Sequence, residues 1–268
     1  MAIITLSRGM FGGVEALAEQ LSERLGYRLL TREEVLAQTA AVFGLSESQL
    51  QSALKHKPGL FEGRGLKKLH FVNCARAAIT KAVQSDNVVY HGESGHLLLK
   101  AVPHVLRVRV MADMEYRVAT AMERCNLNRE KAIEYVRNAD RERDNWMEWV
   151  HGVDADDPYT YDLVVNLARI SVSTATTILA DAAEREFQTT PQSQKIMNDL
   201  VLASEIQARL GLDRGVSDDR IDVAVDDGVV TISANVRHLA DVERASELVQ
   251  QMSGVTEVRS DIGTKWRE

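Results

Sequence analysis

The sequence predicts an α/β protein: a parallel sheet with helices on both faces, followed by a small α+β module of order αββαβ. Three observations carry this. A short apolar run at the N-terminus enters a glycine-bearing turn and then an amphipathic helix. Strand-like apolar runs then alternate with helical segments, the pattern that parallel crossovers require. Further on, a stretch without charged or aliphatic side chains precedes a segment built around an Asp-Gly turn.

Residues 2–6 (AIITL) are continuously apolar, as expected of a strand buried on both faces. The turn is SRGMFGG (7–13), after which Leu17, Leu21 and Leu25 recur at helical spacing up to Gly26, where a C-cap belongs. Thr31 suits the cap of a helix opening TREEVL (31–36). Residues 45–70 are polar and basic, with His56-Lys57-Pro58-Gly59 and Arg64-Gly65-Leu66-Lys67-Lys68, and read as a helical hairpin with a mobile loop. A helix over 72–85 leads to a second strand in NVVYHG (87–92) and a third in VLRVRVM (105–111). Helices over 114–125 and 128–150, a fourth strand in LVVN (163–166) and a helix over 171–187 complete this part. Residues 188–195, opening on QTTPQS, read as a linker between a domain over 1–187 and a module over 196–268. In the module a helix (196–210) precedes strands at 221–225 and 229–234, a helix (239–252) and a last strand (257–262). Asp226-Asp227-Gly228 between the two alternating runs is a strong hairpin signal.

Composition sets limits on partners. A formal charge of −7 lacks the basic footprint of a dedicated nucleic-acid binder. Cys74 and Cys125 have no metal-ligand spacing and read as two free thiols in a reducing compartment; no protein metal site is expected. No apolar run approaches the roughly 20 residues of a membrane helix, so no stable membrane insertion is expected. The N-terminus lacks the basic start and cleavage site of a signal peptide, so the expected location is cytoplasmic. A homo-oligomer is left open.

The chemistry concentrates after the first strand. Backbone N–H groups in a glycine loop at a helix N-terminus bind anions, because unsatisfied donors and the helix dipole act together. A full phosphate loop reads G-x-x-x-x-G-K-[ST]. Counted from Gly13, the first glycine slot holds Arg8, the lysine slot Val14 and the hydroxyl slot Glu15. On spacing alone the loop therefore remains either a phosphate cradle or a plain strand-to-helix turn. Asp140-Arg141-Glu142-Arg143 places Asp140 and Arg143 one turn apart on a helix face, where the carboxylate is expected to orient the Arg143 guanidinium. The same run also suits a solvated charged face.

The wider pattern resembles the cytidylate-kinase-like family. SRGMFGG, Leu25-Gly26-Tyr27 and Thr31-Arg32-Glu33 are followed in order by VVYHGESGHLLL (88–99), VLRVRVMADMEYRV (105–118), NREKAIEYVRNADRERDNW (128–146) and DPYTYDLVVNLARIS (157–171). The resemblance implies a P-loop nucleoside-monophosphate-kinase fold. ATP phosphates, with Mg²⁺, would lie at Arg8, Gly9, Gly12, Gly13, Val14 and Glu15, with Arg124 beside them. A lid would carry Asp140, Arg141 and Arg143 over the transferring group, and Arg32, His91, Gly92 and Glu93 would face a monophosphate or other small phosphorylated ligand. Three departures lose positive charge at a polyanion site: Val14 and Glu15 replace basic and hydroxyl residues, and Glu93 stands where an arginine is usual.

The end of the chain resembles a BON domain, through IDVAVDDGVVTISANV (221–236), Ala245, Leu248 and SGVTEVRSDI (253–262). BON domains are associated with membrane surfaces or small-ligand sensing. Residues 187–268 hold nine Lys and Arg against fourteen Asp and Glu, a balance that disfavours anionic lipid and fits sensing or docking of an unidentified ligand. Two functional expectations follow. One is ATP-dependent phosphoryl transfer to a nucleoside monophosphate or similar acceptor, regulated by the BON module. The other is a non-catalytic pseudokinase that signals through that module.

Overall fold

The computed structural model describes residues 1–53, 65–92, 94–213, 221–234 and 239–262. The larger sheet has five parallel strands in the order β2-β3-β1-β4-β5: β1 (Ile3–Arg8), β2 (Arg28–Thr31), β3 (Val88–His91), β4 (Val105–Met111) and β5 (Leu163–Asn166). As the apolar run predicts, β1 is central, pairing with β3 from Ile3↔Val88 and with β4 from Ile3↔Val105. From β1 the chain goes to β2 and then β3 on one side, and it crosses past β1 to β4 and β5 on the other. Ligand clefts in open α/β sheets form at such a reversal, outside the carboxyl ends of the strands.

Ten helices are described: α1 (Val14–Leu25), α2 (Arg32–Phe43), α3 (Glu47–Ala53), α4 (Gly65–Val83), α5 (Gly95–Leu98), α6 (Met114–Cys125), α7 (Arg129–His151), α8 (Val172–Glu186), α9 (Pro191–Leu212) and α10 (Leu239–Gln250). Ile4, Leu6, Val108 and Val110 of the sheet pack with Leu17 and Leu21 of α1 and Leu179 of α8 in the main core. Helices α6 and α7, which carry Arg117 and Arg143, start on side-chain caps. Asp113 accepts from the Tyr116 N–H at 2.9 Å, and Asn128 from the Lys131 N–H at 2.9 Å, fixing where α6 and α7 begin.

The sequence reading missed two elements. Strand β2 is only four residues long (RLLT), too short for a visible period, and is set by its register on β3. Helix α5 is a single turn of GHLL. Thr31 caps α2 as expected, its Oγ1 accepting from the Glu34 N–H at 3.2 Å. His56 to Arg64 of the expected hairpin lie outside the described residues.

The second sheet comprises β6 (Ile221–Asp226), β7 (Val229–Ala234) and β8 (Glu257–Ile262), with β6 antiparallel and β8 parallel to β7. Val230 and Ile232 are buried with Ile206, Leu210, Ala245 and Val249, and Val223, Val225 and Val258 pack around them. Gly228 makes the hairpin possible: its φ is +79°, and a Cβ there would meet the Gly254 carbonyl oxygen at 2.7 Å.

The chain passes from one compact unit to the other between Thr190 and Pro191, inside the expected 188–195 linker, but the second unit also takes in an earlier part of the chain. One gathers the five-stranded sheet, α1 and α5–α8; the other groups α3, α4 and the end of α2 with α9, α10 and β6–β8. Helix α9 packs on β6 and also along α4, where Cys74, Ala77 and Ala208 form a small-residue contact with Phe43 and Leu45. Of residues 188–195, the first three close the first unit and the rest open α9. Thr189 donates its N–H to the Met1 carbonyl at 2.9 Å, its Oγ1 contacts Asp86 Oδ2 at 2.5 Å, and the helix begins at Pro191.

Candidate functional site

Strand β1 delivers Arg8 to the carboxyl edge of the sheet, and the chain turns through Gly9–Gly13 into α1. Two residues of the turn have left-handed backbone, Gly13 at φ +78° and Phe11 at φ +61°. For phenylalanine this conformation costs of order 1 kcal/mol. The side chain offsets it by packing into the α6–α7 cluster of Val118, Ala121, Ala132 and Val136, with its ring 6.0 Å from that of Tyr135. The loop is thereby fastened to the two helices that carry the site's arginines. The N–H groups of Met10–Gly13 have no backbone acceptor among the described residues, which leaves donors at the N-terminus of α1.

A cavity of 270 Å³ lies over Gly9 and Gly12, walled by Arg109 and Met111 of β4, Arg117 of α6, Val164 of β5, and Asp156, Pro158 and Tyr161. Arg109 and Arg117 line it, and Arg143 is bonded to its wall at Asp156. Arg117 donates Nε to the Met10 carbonyl at 2.9 Å and forms a two-point pair with Asp140, at 2.9 and 2.6 Å. Arg143 donates Nη1 to the Arg8 carbonyl at 3.2 Å and Nη2 to Asp144 and Asp156, both at 3.0 Å. Arg109 donates Nη2 to the same Oδ1 of Asp156 at 2.6 Å, while its Nη1 is buried without a partner.

The charges are unevenly held. Burial, then the neighbouring Arg143, pushes the Arg109 pKa down; Asp156 only partly compensates. Burial also opposes the Arg143 charge, but Asp144 and Asp156 outweigh it and hold that pKa above the usual arginine value. Behind the cavity, His96 stacks on Tyr161 at 4.5 Å, buried with neither ring nitrogen hydrogen-bonded. Burial, then neighbouring His151 and the cations Arg109, Arg107 and Arg143, push its pKa down to about 3, so it is neutral near pH 7.

Every sequence-predicted residue except Glu93 has a definite place. Gly9 and Gly12 line the cavity, and Gly13 caps α1. Val14 does not reach the loop's anion face: its side chain is fully buried in the main core, so only its backbone belongs to the loop. Glu15 pairs with Arg8 at 3.1 Å and lies 3.9 Å from Arg124, so the two basic residues nearest the start of α1 face a carboxylate. Asp140 does not orient Arg143; its two-point partner is Arg117, and Asp144 and Asp156 hold Arg143. Arg141 is exposed and donates to Asn138 at 3.1 Å, outside the cavity. Arg32 opens α2 directly after Thr31, which is in register with His91, so both stand at the carboxyl edge but do not line the cavity. His91 is buried, its pKa lowered first by burial and then by Arg8. Gly92 has a packing role: a Cβ there would lie 2.1 Å from the Tyr90 hydroxyl. Glu93 lies outside the described residues.

Arg109, Arg117, Asp156 and Tyr161 were given no role by sequence reasoning. One signal was present: Arg107 and Arg109 interrupt an otherwise apolar buried strand at i, i+2, on one face. Arg107 is structural, bonded to Asp162 at 2.6 and 3.0 Å; Arg109 is the member that reaches the cavity.

Among the described residues no group of three or more His, Cys, Asp or Glu could hold a metal, and Glu15 is engaged by arginine. A larger cavity of 660 Å³ in the second unit, between Val42 and Phe43 and α9–α10, has no convergent free cations: Arg209 is bonded to Glu205, and Asp213 to Arg244. Among the described residues no helix is long and apolar enough to cross a membrane.

A five-stranded parallel sheet with a glycine loop and a converging arginine cluster defines a kinase-like protein of the nucleotide-binding class. Residues 3–169 match the cytidylate kinase-like family, and the chain belongs to it. Residues 198–264 match the BON domain. A cytidylate kinase from Staphylothermus marinus is 23% identical over 193 residues, spanning 69% of this chain and 98% of that protein. The crystal structure of an uncharacterized protein from Eubacterium ventriosum superposes with TM-score 0.50 at 17% identity, covering 69% of this chain and 99% of that one. A shikimate kinase from Acinetobacter baumannii, in complex with shikimate, gives TM-score 0.40 at 15% identity over 70% of this chain and 96% of that chain. At such identity a structural likeness speaks to fold alone.

Proposed function

We propose that this protein transfers a phosphoryl group from ATP to a small acceptor of the nucleoside-monophosphate class. The observation that carries the reading is the gathering of three guanidiniums from separate elements at the glycine loop: Arg109 and Arg117 line the cavity over Gly9 and Gly12, and Arg143 is bonded to the Arg8 carbonyl and to Asp156 of the cavity wall. Phosphoryl transfer needs positioning and charge stabilisation more than covalent help from the protein. In this reading the open N–H groups of Met10–Gly13 hold phosphate oxygens. Arg117, fixed by Asp140 and the Met10 carbonyl, keeps the loop in place, and Arg143 faces the charge that develops on the transferring group. Bound ATP would bring Mg²⁺ with its phosphates, since the described residues supply no cage of their own. Regulation through the BON module is part of the proposal and rests on chain continuity: α2 starts in one compact unit and ends in the other.

The test is turnover by the full chain with ATP and CMP, UMP, AMP or dCMP, with release of ADP as the readout. Activity with any acceptor that falls on Arg143→Ala supports the proposal. The pseudokinase reading keeps one observation in its favour, the pairing of Arg8 with Glu15 in place of a loop cation. ATP binding with no turnover on all four acceptors would favour it.

A further inference from the structure

Asp156 is a poor permanent partner for the residues it holds. The side chains of Arg109 and Arg143 are 10% and 9% exposed, whereas Asp156 is 65% exposed. A buried guanidinium without an anion is costly, while an exposed carboxylate returns to water at little cost. Both arginines converge on a single oxygen, Oδ1 of Asp156, and the buried Nη1 of Arg109 is still without a partner. One carboxylate therefore under-fills a receptor that a tetrahedral oxyanion, with more acceptor oxygens, would fill better. The backbone on either side of Asp156 is anchored: Tyr161 Oη donates to the Ala155 carbonyl at 2.8 Å, and Asp157 caps the turn Pro158–Thr160 through the Tyr159 N–H at 3.0 Å. The Asp156 side chain can therefore rotate out while the loop stays folded.

We infer that Arg109 and Arg143 form a phosphate-binding subsite in which Asp156 is an exchangeable counter-ion, displaced when a phosphate group enters the cavity. This deepens the proposed function, since the ligand is the same phosphate chemistry at the same site, but it holds whether or not transfer occurs. Arg109 becomes a binding residue, and Asp156 sets a threshold that only an anion able to bridge two guanidiniums overcomes.

Calorimetric titration of the full chain with inorganic phosphate tests this, with pyrophosphate, CMP and ATP as parallel arms to tell a free phosphate from a nucleotide's. Asp156→Asn removes the competing charge while keeping the side chain's shape, and phosphate should bind about tenfold more tightly than to the native chain. Adding Arg109→Gln to the Asp156→Asn variant should abolish that gain; circular dichroism and the melting temperature check that the double variant folds, and Arg109→Lys serves if it does not. An unchanged or weakened phosphate affinity in Asp156→Asn overturns the inference. So does a gain that survives loss of the Arg109 guanidinium. A chain that never turns over ATP but shows the Asp156→Asn gain keeps the subsite and rejects the transferase reading; turnover with a phosphate-indifferent Asp156→Asn does the reverse.

Discussion

Two ion-pair clusters flank the same glycine loop, and they are built differently. At the start of α1, Glu15 lies between Arg8 and Arg124, and all three side chains are partly exposed. Across the loop, Arg109 and Arg143 are buried and it is their carboxylate partners, Asp156 and for Arg143 also Asp144, that are open to water. In the first cluster a water-exposed pair contributes little stability and screens the loop's own cations. In the second the cations are fixed and the anion is replaceable. The comparison teaches that positive charge missing from the lysine slot of the loop is supplied from the opposite wall, by β4, α6 and α7.

The largest expected effect separates these clusters directly. Arg143→Ala and Arg117→Ala should each lower phosphoryl transfer roughly a hundredfold or more, while Arg124→Ala should change it only a few-fold. Steady-state kcat and kcat/KM with the best acceptor make the measurement. Equal losses in all three variants would erase the distinction.

The next effect concerns the neutral histidine behind the arginine wall. The unfolded chain binds a proton on His96 near the ordinary pKa of 6.5, whereas the folded chain does so only near pH 3. Between those values the unfolded state holds more protons, so stability falls as pH is lowered, by about 1.4 kcal/mol per unit from this group. His91 and His104, whose pKa values are also lowered chiefly by burial, act in the same direction. Urea denaturation from pH 7 to pH 4 should show this slope, and His96→Phe should flatten it. An unchanged slope in that variant would mean that His96 is charged in the folded protein.

Smaller effects probe the supports. Gly92→Ala should cost about 2 kcal/mol, because the Tyr90 ring is buried and must shift; a melting curve reads it. Smallest is a difference in thiol chemistry with no effect on function. Cys125 is exposed and should react with a maleimide in the native state, while burial pushes the Cys74 pKa up to about 12 and should protect it until unfolding.

The parallel sheet was legible because its strands are continuous apolar runs and its helices carry clear periods and caps. The hairpin at Asp227-Gly228 was legible from its turn residues. What escaped were features whose cause is spatial. Strand β2 exists because β3 offers its edge, and α9 extends back to Pro191 because α4 gives it a surface. Within the site, Asp140 and Arg143 share a helix face, but Arg117, 23 residues earlier in the chain, claims Asp140. Val14 occupies the lysine slot by count, but its side chain turns into the core. Spacing locates a loop; it does not say which side chains face it.

The central claim is that phosphate binds between the glycine loop and the arginines of β4, α6 and α7. Nuclear magnetic resonance of the full chain during ATP titration tests it most directly, following backbone amides and arginine side-chain Nε–H signals. The account predicts saturable shifts in the amides of Gly9, Gly12 and Gly13 together with the Nε–H signals of Arg109, Arg117 and Arg143, and none at Arg209 beside the larger cavity. Shifts at Arg209 and its neighbours with the loop and the three arginines unmoved would contradict it.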